Sequence, residues 1–98
     1  MNGIKRMQFY ISRTKTDAES GNIVSVFVCG KNESQWCWVA SAFVVQLINQ
    51  GVPFNTLLKT GDRNYQVGSR VEVYEFALRT VANDTGGDNL ESLPTVTV

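Results

Sequence analysis

The stretch Gln35-Trp36-Cys37-Trp38-Val39-Ala40-Ser41 sets a thiol between two tryptophans, two residues after a glutamine and just ahead of small residues. A cysteine so placed works as a nucleophile only if a neighbouring base or cation lowers its pKa and a donor protonates the leaving group. The chain of 98 residues contains no histidine, so neither role has its usual occupant. A helix N-terminus lowers a thiol pKa part-way but supplies no proton donor. Cys29 and Cys37 are also too few for a disulfide scaffold or, without histidine, for a standard zinc site. Both are read as reduced thiols.

Other groupings are no more reactive. Glu72 and Glu75 stand three apart on an expected strand, hence on opposite faces. Asp84 and Asp88, with Asn83, Thr85 and Asn89 around a Gly-Gly pair, offer oxygen ligands, but their spacing is not that of a calcium loop and reads as a turn. No enzyme, metal or cofactor is expected. What remains is a set of groups suited to binding: Trp36, Trp38, Tyr65 and Tyr74 are flat platforms, and Arg63, Arg70 and Arg79 carry forked donors. Such groups stack on a base and clamp a phosphate or carboxylate. The candidate ligand site comprises Trp38, Tyr65, Arg70, Tyr74, Arg79, Thr80 and Asn89.

These residues need a scaffold, and hydropathy patterning outlines one. Met7, Phe9 and Ile11 alternate with Gln8, Tyr10 and Ser12, a half-buried strand. After the polar turn at residues 15–22, Val24, Val26 and Val28 alternate with Ile23, Ser25, Phe27 and Cys29. Residues 7–29 are thus expected to form a β-hairpin whose second strand, apolar on both faces, lies inside the sheet. A helix is expected from about Glu33 or Ser34 to Gln50, with Asn32 as N-cap and Gln35 three residues on, stopped by Gly51 and Pro53. Trp36, Val39, Ala40, Phe43, Val44, Leu47 and Ile48 then fall on its sheet-facing side, and Trp38, Ala42 and Val45 on a second apolar stripe. No charge occurs from Ser34 to Leu58, so a subunit contact through Trp38, Ala42 and Val45 is expected. Residues 54–60 read as a strand, the run from Gly68 to Val81 as two short strands, and Leu90-Glu91-Ser92-Leu93 as a helical turn. Residues 95–98 are an edge strand or a disordered tail. The expectation is a single-domain α+β fold: an antiparallel sheet of four to five strands, order β-β-α-β-β with a further strand in prospect, under one helix.

Nine Lys/Arg balance nine Asp/Glu, which argues against duplex nucleic acid, and no apolar run reaches the length of a membrane span. A cytoplasmic protein is expected.

The run from Val67 to Pro94 resembles a family of small bacterial and phage domains classed only as a domain of unknown function. The resemblance rests on Tyr10-Ile11, the helix after Asn32, Gly68 before Val71-Glu72-Val73, Arg79-Thr80, Asp88-Asn89-Leu90 and Leu93-Pro94. It implies a stand-alone or accessory binding domain and no reaction. The expected function is a homo-oligomeric, non-enzymatic protein that holds a small anionic ligand such as a cyclic or linear nucleotide. In a phage it would act by sequestering a host defence signal. The alternative is a protein-interaction or inhibitor module that docks its uncharged helix face on a host protein.

Overall fold

The computed structural model describes residues 7–81 and 90–98. The Arg/Tyr-bearing C-terminal motif is therefore described only in part, because Asp84, Asp88 and Asn89, with the expected turn between Ala82 and Asn89, lie outside the described residues. The chain runs β1 (Phe9–Thr16), β2 (Ile23–Gly30), β3 (Cys37–Ala40), α1 (Ser41–Asn49), β4 (Phe54–Lys59), β5 (Tyr65–Tyr74), β6 (Ala77–Thr80), a 3-10 turn (Leu90–Ser92) and β7 (Thr95–Thr97).

This is the α+β class the patterning implies, with two corrections. The sheet has seven strands in the order β3-β2-β1-β4-β5-β6, with β7 on β1, so it is larger than expected. It is also mixed: β4 and β7 both run parallel to β1 while the remaining pairs are antiparallel. The parallel pairing of β1 with β4 follows from the intervening β3 and α1, which return the chain to the other side of β1. β4 takes the N-terminal half of that edge, at Phe9, Tyr10 and Ile11, and β7 takes the C-terminal half, at Thr14, Lys15 and Thr16. The sheet therefore forks along β1. The tail expected as strand or disorder is a strand, fastened by Thr14 N–H to the Pro94 carbonyl at 3.0 Å and a Thr14–Thr95 hydroxyl pair at 3.1 Å.

The helix is half the length expected. Asn32 has φ 68, a left-handed turn conformation and not the extended geometry of an N-cap. From Cys37 the chain is extended and pairs antiparallel with β2, at Val28↔Cys37, Phe27↔Trp38 and Val26↔Val39. Tryptophan, cysteine and valine all rank low as helix formers and suit a pleated surface, and the unpaired edge of β2 offers them a ladder. Helical φ/ψ begins only at Ser41, whose hydroxyl donates to the Ile23 carbonyl at 2.8 Å. The C-terminal stop is as expected: Gly51 at φ 92 is left-handed, its N–H reaches the Ile48 carbonyl, and Val52 N–H reaches Leu47 at 3.0 Å, the Schellman arrangement.

Because α1 packs on β2 and β3 at one end of the strand order and on β5 and β6 at the other, the sheet curls around it. Val44 is fully buried there, and Leu47 and Ile48 pack on a core of Ile11, Val26, Phe54 and Val71. The helical turn expected at Leu90–Leu93 is the 3-10 turn, and its Leu90 and the following Leu93 are buried in that core.

β5 and β6 join through a two-residue turn, Glu75-Phe76, with Tyr74 paired to Ala77. Both residues are left-handed, φ 51 and 66, the I′ geometry that normally calls for Asn-Gly. Left-handed backbone costs a residue with a Cβ about 1 kcal/mol or more. Replacing Glu75-Phe76 by Asn-Gly is expected to raise the melting temperature by roughly 4–8 °C, the shift that about 1 kcal/mol gives a domain of this size; an unchanged or lower value in a thermal melt would show that the turn is not strained.

Candidate functional site

The β1–β2 ladder contains an irregularity that decides which side chains reach solvent. Ile11 pairs with Val28, but Arg13 pairs with Phe27, so Ser12 is an extra residue on β1, a β-bulge. Simple alternation would put Arg13 on the same side as Ile11, in the core. The bulge reverses the phase: Thr14 turns inward and is buried opposite Val26, while Arg13 and Lys15 face outward.

The outer face of β1, β2 and β3 consequently carries aromatic rings and cations side by side. Phe27 sits between the two tryptophans of the Trp-Cys-Trp run, stacked on Trp36 with centroids 5.5 Å apart and tilted against Trp38 at 5.0 Å. Arg13 lies over the Phe27 ring at 5.7 Å and Lys15 over Trp38 at 4.4 Å. Neither cation has a carboxylate within ion-pair distance among the described residues. Each cation–π contact contributes about 0.5–1 kcal/mol at an exposed site, weak enough for a ligand to rearrange.

Beside this cluster, where β4 and β7 diverge along β1, a cavity of about 390 Å³ opens. Arg13, Phe27 and Trp36 form one wall, and Leu57, Lys59 and Tyr65 the other. Tyr65 comes in because β5 pairs Tyr65 with Lys59. No carboxylate is among the described residues lining this cavity.

Of the residues expected to bind ligand, Trp38 and Tyr65 thus belong to one face. Arg70, Tyr74, Arg79 and Thr80 do not join them. Tyr65 and Tyr74 are nine residues apart on one strand, about 30 Å at the usual rise. On the β5–β6 hairpin Arg79 is held by its neighbours: its Nε donates to the Glu72 carboxylate across the ladder and its guanidinium lies 3.8 Å from the centre of the Tyr74 ring. That charge is already compensated. The helical stripe of Trp38, Ala42 and Val45 does not exist, since Trp38 is on β3. Ala42 and Val45 instead line a cleft of about 730 Å³ whose far wall is the hairpin tip at Phe76 and Leu78. Part of the helix side expected to meet a subunit is therefore faced by the chain's own hairpin.

Arg13, Lys15, Phe27 and Lys59 were not expected at the site. An Arg-x-Lys spacing on a strand beside an outward Phe27 was the available signal, but only the bulge makes those cations face out.

The two thiols differ in exposure. Cys29 is buried, its Sγ donates to the Glu33 carbonyl at 3.4 Å, and burial, then the Glu33 carboxylate, then Cys37 push its pKa up. Cys37 is exposed, with its Sγ 3.9 Å from the Val28 carbonyl. Among the described residues no group of three or more Cys, Asp or Glu is placed to hold a metal, and no helix is long and apolar enough to cross a membrane.

No protein-family model matches this chain, and no curated protein or solved structure matches it either. The site is therefore read from its own chemistry.

Iodoacetamide labelling of the folded protein at pH 8, followed by mass spectrometry, is expected to modify Cys37 at least about tenfold faster than Cys29, because burial withholds the thiolate. Equal rates would contradict the placement of Cys29 in the core.

Proposed function

We propose that this protein is a non-enzymatic binding domain whose outer sheet face holds a small anionic ligand with a flat ring, a nucleotide being the class that fits. The observation that carries the reading is the pairing of cations without carboxylate partners, Arg13 and Lys15, with the Phe27, Trp36 and Trp38 rings beside the cavity reached by Lys59 and Tyr65. Rings accept a base by stacking, and the cations take its phosphate. The histidine that would pair with Cys37 as general base is absent from the sequence, which supports binding over thiol chemistry. Binding without reaction suits sequestration of a small signalling molecule.

In a thermal-shift screen of cyclic and linear mononucleotides, at least one is expected to raise the melting temperature, since ligand at about 100 times its Kd stabilises by roughly 2.7 kcal/mol. Trp38→Leu and the double change Arg13→Gln, Lys15→Gln should each abolish that shift while the far-ultraviolet circular dichroism stays native. A shift that survives both changes would remove the site from this face.

Self-association is the second reading, favoured by two large apolar side chains left in water, Phe43 at 51% and Phe76 at 95% exposed. A second copy of the chain is the partner proposed for them. Light scattering at high concentration is expected to give a mass above 10.9 kDa that Phe43→Ser with Phe76→Ser returns to the monomer; a monomer in the unaltered chain sinks this reading and leaves the nucleotide site standing.

A further inference from the structure

The site of the proposed nucleotide binder has more than one platform, and each platform has its own cation. Across the sheet from β3 to β5, Trp38 carries Lys15, Phe27 carries Arg13, and Tyr65 stands beside Lys59 on the paired strand. The strand order β3-β2-β1-β4-β5 separates the two ends by four inter-strand steps, about 19 Å at the usual spacing of roughly 4.8 Å, before the fork at β7 widens it. Trp38, Phe27 and Arg13 form one cross-strand row, and Tyr65, paired with Lys59 at the end of β4, joins it through the cavity that Arg13, Phe27, Lys59 and Tyr65 line together.

We infer that the occupant of this face is a single-stranded oligonucleotide lying across the strands, not a lone mononucleotide. The inference rests on the reading of the face as a base-and-phosphate site and adds to it the repeat. One mononucleotide presents a single ring, and that ring cannot stack on Trp38 and Tyr65 together across that span. A single strand presents a ring and a phosphate at every residue, matching a face with Trp38 and Lys15 at one end, the Trp36–Phe27 stack with Arg13 in the middle, and Tyr65 with Lys59 at the other end. Four-stranded sheets that recognise single-stranded RNA place two or three bases on their aromatics, the capacity of this row. Charge complementarity is local: the three cations have no ion-pair partner among the described residues although the whole chain is neutral. A duplex is excluded from the face because its bases are stacked on one another and unavailable to the rings.

The test is binding of fluorescein-labelled oligothymidylates of one, two, three, four, six and nine nucleotides, followed by anisotropy and by quenching of tryptophan emission. Affinity should rise steeply up to about three nucleotides and then level, with a slope of log K against log salt of about −2 for three phosphate contacts to a single strand. Trp38→Leu and Tyr65→Leu, at opposite ends of the row, should each weaken the hexamer about tenfold, as loss of one stacking platform does. A thymidine mononucleotide that binds as tightly as the hexamer overturns the inference and leaves the mononucleotide site intact. Failure of every oligonucleotide and every mononucleotide overturns both. Equal affinity for heparin, or for the same sequence as a duplex, overturns the inference by reducing the face to a general polyanion surface. Loss of hexamer binding in Trp38→Leu but not in Tyr65→Leu likewise overturns it, since the strand would then not cross the sheet.

Discussion

The extra residue in β1 governs the chemistry of this protein. With Ser12 bulged out, Ile11 and Thr14 both face the core, and Arg13 and Lys15 both face away from it. A regular strand would have forced a choice between a guanidinium in the core beside Ile11 and a displaced hydrophobic pattern. Burying an unpaired charge costs several kcal/mol, far more than the one ladder hydrogen bond a bulge disrupts. The bulge is therefore the cheaper solution to the amino-acid order Ile-Ser-Arg-Thr-Lys, and it aims two cations at neighbouring aromatic rings as a consequence.

Those rings are present on that face because the Trp-Cys-Trp segment joins the sheet. Had residues 34–50 formed one helix, Trp36 and Trp38 would have pointed to different sides of it and neither would have met Phe27. As a strand on the edge of β2, the segment satisfies its backbone groups in the ladder and sets Trp38 directly opposite Phe27. Cross-strand aromatic pairs of this kind stabilise a sheet by a few tenths to about 1 kcal/mol each, so the same contacts that could receive a ligand also hold β3 in place. The shortened helix then needs only Val44, Leu47 and Ile48 to anchor it, and a sheet curled around it leaves the opposite surface open.

The two ends of the molecule treat charge differently. On the β5–β6 hairpin Arg79 is compensated by Glu72 and covered by Tyr74, a self-contained cluster that braces the strained turn. On the β1–β3 face the cations meet rings and no carboxylates. Zero net charge thus conceals cations that, among the described residues, stand over rings with no carboxylate in ion-pair distance.

The alternation of β1 and β2, the Gly51 stop, the helical turn at Leu90–Leu93, and the α+β class were all legible in the sequence, because period-2 burial, left-handed glycine and apolar spacing are local properties. So was the absence of histidine, which follows from composition alone. The site was legible in its chemistry but not in its membership: Trp38 and Tyr65 belong to it, while Arg70, Tyr74, Arg79 and Thr80 lie elsewhere and Arg13, Lys15, Phe27 and Lys59 take their place. A tryptophan-rich apolar stretch suits a helix face and a strand edge alike, and the choice fell to the open edge of β2, a partner distant from any helix-length window. Likewise a one-residue bulge leaves no mark in composition or periodicity. The sequence by itself determined which groups the protein has and the fold class that carries them; the tertiary structure alone decided which of them meet, because strand pairing and register are set by contacts between segments far apart in the chain.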